Sequence, residues 1–247
     1  MVSRYLLPLR LGKISQVDRN GEKVGKYKEM GNVGQRKKKG GDKGGRYHHG
    51  DLRQALVDGA LELIREGDVG ALSLRALARK VGVSYAAPYH HFSDKSELLA
   101  ELAIDGYQQL YGEMERYQTA VQDDPSGVLL ASGRAYLFFA VSHPSHYRVM
   151  FSLAHADEHP KVRSVADLCF VRLLENTRAV IGPAQSDEAT TKLANLIWAT
   201  VHGAATLWND GLMCSHLGTT DLSIYVEMIT GQLCELVSAY AEKLQAT

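Results

Sequence analysis

Apolar residues recur along most of this chain with a helical period, and small or polar residues interrupt the runs at regular places. Leu52, Ala55, Leu56, Gly59, Ala60, Leu63 and Ile64 share one face, which predicts a long amphipathic helix closed by Gly67 and Gly70. Asp51 sets a negative charge at the positive end of that helix. Leu74, Leu77, Ala78 and Val81 then fall at i, i+3, i+4 and i+7, a second and shorter helix. Ser73 stands in its N-cap position, and Gly82 stands where a left-handed C-terminal residue costs least. Val83 can plug the angle to a third helix, which Ser84 can cap. This is the pattern of a helix-turn-helix, whose second helix enters the major groove of DNA.

Ser93-Asp94-Lys95-Ser96-Glu97 opens a fourth helix that runs to about Gln118. Ser93 or Asp94 can cap it, and Glu97 is placed for a capping box. Further helical stretches are predicted over roughly 126–142, 144–153, 160–181, 187–210 and 221–244. Pro144, Pro160, Gly182-Pro183 and the stretch Gly211–Gly218 punctuate them. No run of alternating β-branched residues with a hairpin turn occurs, so the expected fold is all-α. Its expected parts are a basic tail over 1–46, a three-helix head over 47–98, and a helical body over 99–247.

Formal net charge is zero, but it is not evenly spread. Residues 1–46 carry +9 and residues 47–247 carry −9. A basic arm on an acidic body points to a polyanionic partner near the N-terminus. The arm is rich in Gly, Lys and Arg, too poor in apolar surface to offset its ordering entropy, and is expected to be disordered. Two readings stay open: an inert extension, with Met30 as an alternative start, or an arm that contacts phosphates or the minor groove. Cys169, Cys214 and Cys234 form neither a CxxC nor a Cys/His ligand spacing, which favours a reduced compartment. His48 and His49 lack a third spaced ligand, and no metal or cofactor is expected. The opening residues are too short an apolar run for a secretory signal, and no segment reaches the roughly 18 apolar residues of a membrane span. A cytoplasmic protein without membrane contact is expected.

The run Leu72-Ser73, Leu77-Ala78, Val81-Gly82-Val83-Ser84, Pro88-Tyr89-His90-His91-Phe92, Lys95 and Leu98 resembles the DNA-binding domain of the tetracycline-repressor-like (TetR) family. Ala86-Ala87-Pro88-Tyr89, the preceding Tyr47-His48-His49-Gly50-Asp51-Leu52, and Trp198 with His202-Gly203 resemble a subgroup named for its Trp-His-Gly signature. The resemblance implies that Tyr85, Ala87 and His90 lie where bases are read, with Ser84 among the DNA-binding residues. It implies phosphate contacts for Tyr89, His91, Lys95 and Ser73, and a base contact for Arg75. The chemistry agrees, because Arg reads guanine, Ala can meet a thymine methyl, and hydroxyls bond phosphate oxygens. Lys95 would combine with the amides of its helix N-terminus to hold a phosphate.

Two positions depart from the family. Most members have Gly at 86 and an apolar residue at 88, where this chain has Ala86 and Pro88. With Ser84 as cap, Pro88 would remove the first intrahelical hydrogen bond and disfavour helix at Ala87. A cap slipped to Tyr85, or a short irregular entry, is the expected resolution. Tyr89 and Phe92 can equally be core aromatics bracing the turn. His90 and His91 point about 100° apart on a helix, so they cannot share one role.

In the body, Phe138, Tyr147, Met150, Phe151, Phe170, Trp198 and His202 offer material for an effector pocket. Aromatics at helical spacing also make ordinary core. The resemblance implies a dimer built by the last two helices, with Leu193, Ile197, Val201, Ala204 and Trp208 on one stripe and Ile224, Met228, Leu233, Leu236 and Val237 on another. The function it implies is a homodimeric repressor that binds a near-palindromic double-stranded DNA operator and leaves it on binding a small-molecule effector. A ligand-independent regulator controlled by a protein partner is the alternative. An enzyme using Trp198 and His202 is more remote, since no GxSxG or GxxxxGK[ST] motif occurs.

Overall fold

The computed structural model describes residues 49–121, 123–153 and 159–245, together with two short strands near the N-terminus. The chain divides into two compact units, Met1–Arg46 and Tyr47–Thr247. In the first, β1 (Gln16–Val17) pairs antiparallel with β2 (Lys23–Val24). The rest of the basic segment, and with it the expectation of disorder, lies outside the described residues.

The second unit is all-α. Its helices are α1 (His49–Glu66), α2 (Leu74–Val81), α3 (Lys95–Gln118), α4 (Pro125–Ser142), α5 (Pro144–Ser152), α6 (Pro160–Ile181), α7 (Asp187–Asn209), α8 (Leu212–Leu217) and α9 (Leu222–Gln245). Pro125, Pro144 and Pro160 each open a helix, because the fixed φ of proline suits the first turn and its missing N–H is not needed there. The stretch Gly211–Gly218, read in the sequence as a break, instead holds α8. Both flanking glycines adopt left-handed conformations, with φ of 74° and 64°, and so mark the ends of a helix.

α1 and α2 pack closely: a Cβ on Gly59 would come within 2.8 Å of Val81 Cγ2. Leu56, Ala60 and Ile64 of α1 join Leu72, Leu77 and Phe92 in a fully enclosed core, each such side chain contributing roughly 1.5–3 kcal/mol. α3 continues that core through Leu98 and Leu102, then enters the body, where it buries Tyr107, Leu110, Met114 and Tyr117. At the centre of the body lies α4, apolar on nearly every side and buried accordingly from Leu129 to Ala140. α5 ties the body to the head. Ser145 Oγ donates to Leu61 O at 2.9 Å, and Arg148 reaches the Ile64 and Gly67 carbonyls at the end of α1.

On α7, Leu193, Ile197, Val201 and Ala204 face the chain's own core, with Trp208 stacked on Tyr225 at 4.7 Å. The stripe assigned to a dimer face is therefore an internal one. On α9, Leu233 and Val237 are likewise buried, while Ile224 and Leu236 are exposed. Leu196, Trp198 and Leu207 are the exposed large apolar residues of α7. No helix among the described residues is long and apolar enough to cross a membrane.

Candidate functional site

The head is shaped by its caps. Ser73 Oγ accepts from Ala76 N at 3.1 Å and begins α2. At the other end Gly82 is left-handed (φ 77°). Val83 N donates to Ala78 O at 2.9 Å and Gly82 N to Arg79 O at 3.3 Å, the paired bonds of a Schellman motif. Val83, half-buried, sits in the turn as expected.

The next element differs from the α-helix that the sequence suggested. Residues Ala87–His90 form a 3₁₀ segment with Ala86 at its N-cap and no side-chain cap from Ser84 or any other residue. Ala87 N donates to Ser84 O at 3.0 Å, Tyr89 N to Ala86 O at 3.2 Å, and Phe92 N to Pro88 O at 2.9 Å. Pro88 needs no donor in that first turn, and the tighter winding absorbs it. The irregular entry is thus the form taken. Pro88 and Phe92 are buried and anchor the segment, with the Arg53 guanidinium 5.4 Å from the Phe92 ring centre. Arg53, which also ion-pairs with Glu101, carried no signal in the helix-turn-helix motif.

What this anchoring presents outward is a set of polar and aromatic groups. Tyr85 and Tyr89 are 57% and 53% exposed. Ser73, Arg75, Ser84 and His90 are exposed as well, and Ala87, His91 and Lys95 are half-exposed. Lys80, by contrast, is bound to Glu66 and Glu62 on α1 at 2.6 and 3.2 Å, which neutralises its charge. Lys95 Nζ donates to Gly70 O at 3.2 Å, at the start of α3. Asp94 caps that helix by accepting from Glu97 N at 2.9 Å, while Glu97 accepts from Ser93 N at 2.6 Å. The Ser93 amide holds the Glu97 carboxyl below its usual range. An anion arriving here meets a capped terminus, with the Lys95 ammonium as its nearby cation.

Within the body lies a cavity of about 500 Å³, walled by α3, α4, α5, α6 and α7. Met150, Phe151, Phe170 and Trp198 line it, with Tyr107, Tyr136, Cys169 and Asn195 among the other wall residues. Three residues proposed for the pocket lie outside the wall. Phe138 is buried against Tyr117, their rings stacked at 6.2 Å. Tyr147 and His202 form the layer behind Tyr136: both tyrosine hydroxyls stand 2.8 Å from His202 Nδ1, and Tyr147 Oη also donates to His202 O at 3.1 Å. Tyr107 and Tyr136 carry chemistry that the aromatic spacing did not single out. Tyr107 Oη donates to Met150 O, joining α3 to α5 across the cavity wall.

Burial sets the protonation of these groups. It pushes the Tyr107 phenol and the Cys169 thiol up to about 12, raises Tyr136 and Tyr147, and lowers His202. At neutral pH the wall and the layer behind it are uncharged in the interior. The side-chain partners of His202 are the Tyr136 and Tyr147 hydroxyls, and burial holds the Cys169 thiol as S–H. Among the described residues no three His, Cys, Asp or Glu side chains converge as a metal site.

Comparison with known proteins places these two regions in one lineage. Residues 56–102 match the model of bacterial regulatory proteins of the tetR family, and residues 129–230 match that of the tetracyclin repressor-like C-terminal domain. The second span contains the Trp198-His202-Gly203 signature without being named for it. An uncharacterised HTH-type transcriptional regulator of Bacillus subtilis, YobS, is 30% identical over 129 residues, covering 51% of this chain and 66% of that protein. A solved protein of unknown function from Rhodococcus sp. RHA1 is 29% identical, with a TM-score of 0.64 over 77% of this chain and 97% of its own. The TetR-family regulator PfmR of Thermus thermophilus shares the fold, with a TM-score of 0.58 at 18% identity, over 75% of this chain and 94% of its own. With the head, the body and the relatives in agreement, the chain belongs to the TetR family of helix-turn-helix transcriptional regulators.

Proposed function

We propose that this regulator is a homodimeric repressor that binds a near-palindromic operator and is released when a small molecule fills the cavity of the body. The observation that carries this reading is the cavity itself. A core closed to native density would leave the body nothing to sense, whereas about 500 Å³ of largely apolar space is the size of small-molecule sites. The cavity is also mechanically connected to the head. Met150 and Phe151 of α5 face the ligand space, and Ser145 and Arg148 of the same helix hold the carbonyls of α1. Ligand binding that favours one setting of α5 shifts the population of head positions. One head reads only a few base pairs, so two are needed to fix half-site spacing. The outward Leu196 and Leu207 of α7 and Ile224 and Leu236 of α9 are the apolar positions available for that pairing.

The test is footprinting of the purified protein on DNA flanking its own coding region, followed by gel shifts on the site found. Wild-type protein is expected to bind with a steep salt dependence. Arg75→Ala and Tyr89→Ala should lose the shift while sedimenting as wild type does. Wild-type affinity in both variants would refute the docking surface proposed.

A further inference from the structure

Which small molecules fit the cavity is legible in how its polar groups are used. The deep wall holds few, and these are already bonded. Ser132, 3% exposed, accepts from Gln118 Nε2 at 2.6 Å and from Asn176 Nδ2 at 2.9 Å, and donates to Val128 O at 2.9 Å. The Tyr136 hydroxyl is bound to His202, and Cys169 Sγ points to the Tyr107 carbonyl at 3.7 Å. Among the described residues, no Lys, Arg or His lines the wall. The exposed lining residues mark the mouth, which lies between α6 and α7: Asp167, Asn195 and Trp198. Asp167 carries the formal charge there. Arg163, one turn earlier, approaches its carboxylate only to 3.9 Å, with both side chains more than half exposed. Beside it the Phe170 and Trp198 rings meet edge to face, centres 5.9 Å apart.

We infer that the effector of this regulator is a hydrophobic cation: an apolar body buried against the deep wall, with an ammonium head at the mouth between Asp167 and the Phe170 and Trp198 rings. This inference rests on the reading of the cavity as an effector site. A carboxylate or phosphate head would lose its hydration with no counter-charge among the described lining residues to replace it, and would sit beside the Asp167 carboxylate. A neutral polar head would find the deep partners already engaged. An ammonium head meets a carboxylate and two aromatic faces, the combination that stabilises an organic cation at a partly solvated site. The chain from residue 47 onward has a net charge of −9, which draws cations to its surface.

Titration calorimetry on the full chain with three ten-carbon probes, each below its micellar concentration, decides the matter. The probes are decyltrimethylammonium, decanol and decanoate. The ammonium is expected to bind at least ~10-fold more tightly than the carboxylate, about 1.4 kcal/mol, with the alcohol between them. Asp167→Asn, checked for a wild-type thermal midpoint, should remove most of that advantage. Equal or tighter binding of decanoate, or an ammonium advantage that survives Asp167→Asn, overturns the inference while leaving the cavity as a binding site. If none of the three probes binds, the effector reading of the cavity falls with it.

Discussion

The head and the body of this protein use the same helices and caps yet keep their working groups in opposite places. In the head the core is complete: Leu56, Ile64 and Leu77 are fully buried and Phe92 is 1% exposed. The groups proposed to meet DNA, Tyr85, Tyr89, Arg75 and His90, are exposed and stand outside that core. In the body the working surface is turned inward, around space that helices α3 to α7 leave unfilled. Away from the exposed Asp167, Asn195 and Trp198 at its mouth, the wall residues there are also packing residues, and the void forgoes dispersion contacts that a closed core would make. Recognition in the head can therefore change without loss of stability. For those enclosed wall residues, a change of ligand preference and a change of stability are expected from the same substitution, and a ligand that filled the space would stabilise the fold by mass action.

That contrast is broken most forcefully at two neighbouring rings. Phe92→Ala removes a buried ring and the surface that Arg53 covers, and is expected to cost ~3–5 kcal/mol in urea unfolding. Tyr89→Ala should change stability by no more than about 0.5 kcal/mol although it abolishes operator binding. Comparable destabilisation in the two would show that Tyr89 belongs to the core. The next largest effect is expected where head and body meet. A Cβ on Gly106 of α3 would lie 2.7 Å from Met150 Sδ and 3.2 Å from His146 Cβ on α5. Gly106→Val should cost about 1–3 kcal/mol, and a probe that reports on the cavity should show displaced α5 contacts. A thermal midpoint equal to wild type would mean that α5 can move aside freely. Smaller again is Gly82→Ala. Nothing lies within 4 Å of the added methyl, so the cost comes from φ of 77° alone, about 1–2 kcal/mol, and is read from the denaturation midpoint. An unchanged midpoint would show that the turn relaxes without the left-handed residue.

The sequence exposed these features unevenly, and the difference is physical. Ser73, Gly82, Asp94 and Glu97 act on backbone groups three or four residues away, so their chemistry is written in the local order of residues. The course of the chain at Pro88 follows from the same local reasoning, because proline excludes a regular entry to an α-helix. The six-residue helix α8 stayed hidden, since glycine at 211 and 218 reads as a break whether it ends a loop or caps a helix. An apolar stripe announces that a face is buried but not what buries it, and so Leu193 to Ala204 could be taken for a dimer surface. The cavity lies further from view. Met150, Phe151, Phe170 and Trp198 stand on three helices, and only packing shows that they surround one space with Tyr136 and Asp167. His202, side by side with Trp198 on α7, points to Tyr136 and Tyr147 instead of the void.

The finest separation of the two regions is expected in acid. Burial lowers the pKa of His202 from 6.5, and that of His143, which stacks on Phe139 at 4.9 Å, moves the same way. The folded body prefers these imidazoles neutral, while the unfolded chain takes up protons near pH 6.5. Stability is therefore fully present above that value and is lost as pH falls from 6.5 toward the depressed folded-state values. Glu97 in the head behaves oppositely: the Ser93 amide holds its carboxyl below 4.5, so its share of stability is present above 4.5 and fades only as pH falls further. The body should soften first and the head later. Thermal midpoints at pH 7, 6 and 5 should fall for the wild type, and His202→Asn should flatten that decline without altering the loss below pH 4.5. A decline of the same slope in His202→Asn would assign the proton to another group, with His143→Gln as the next variant to measure.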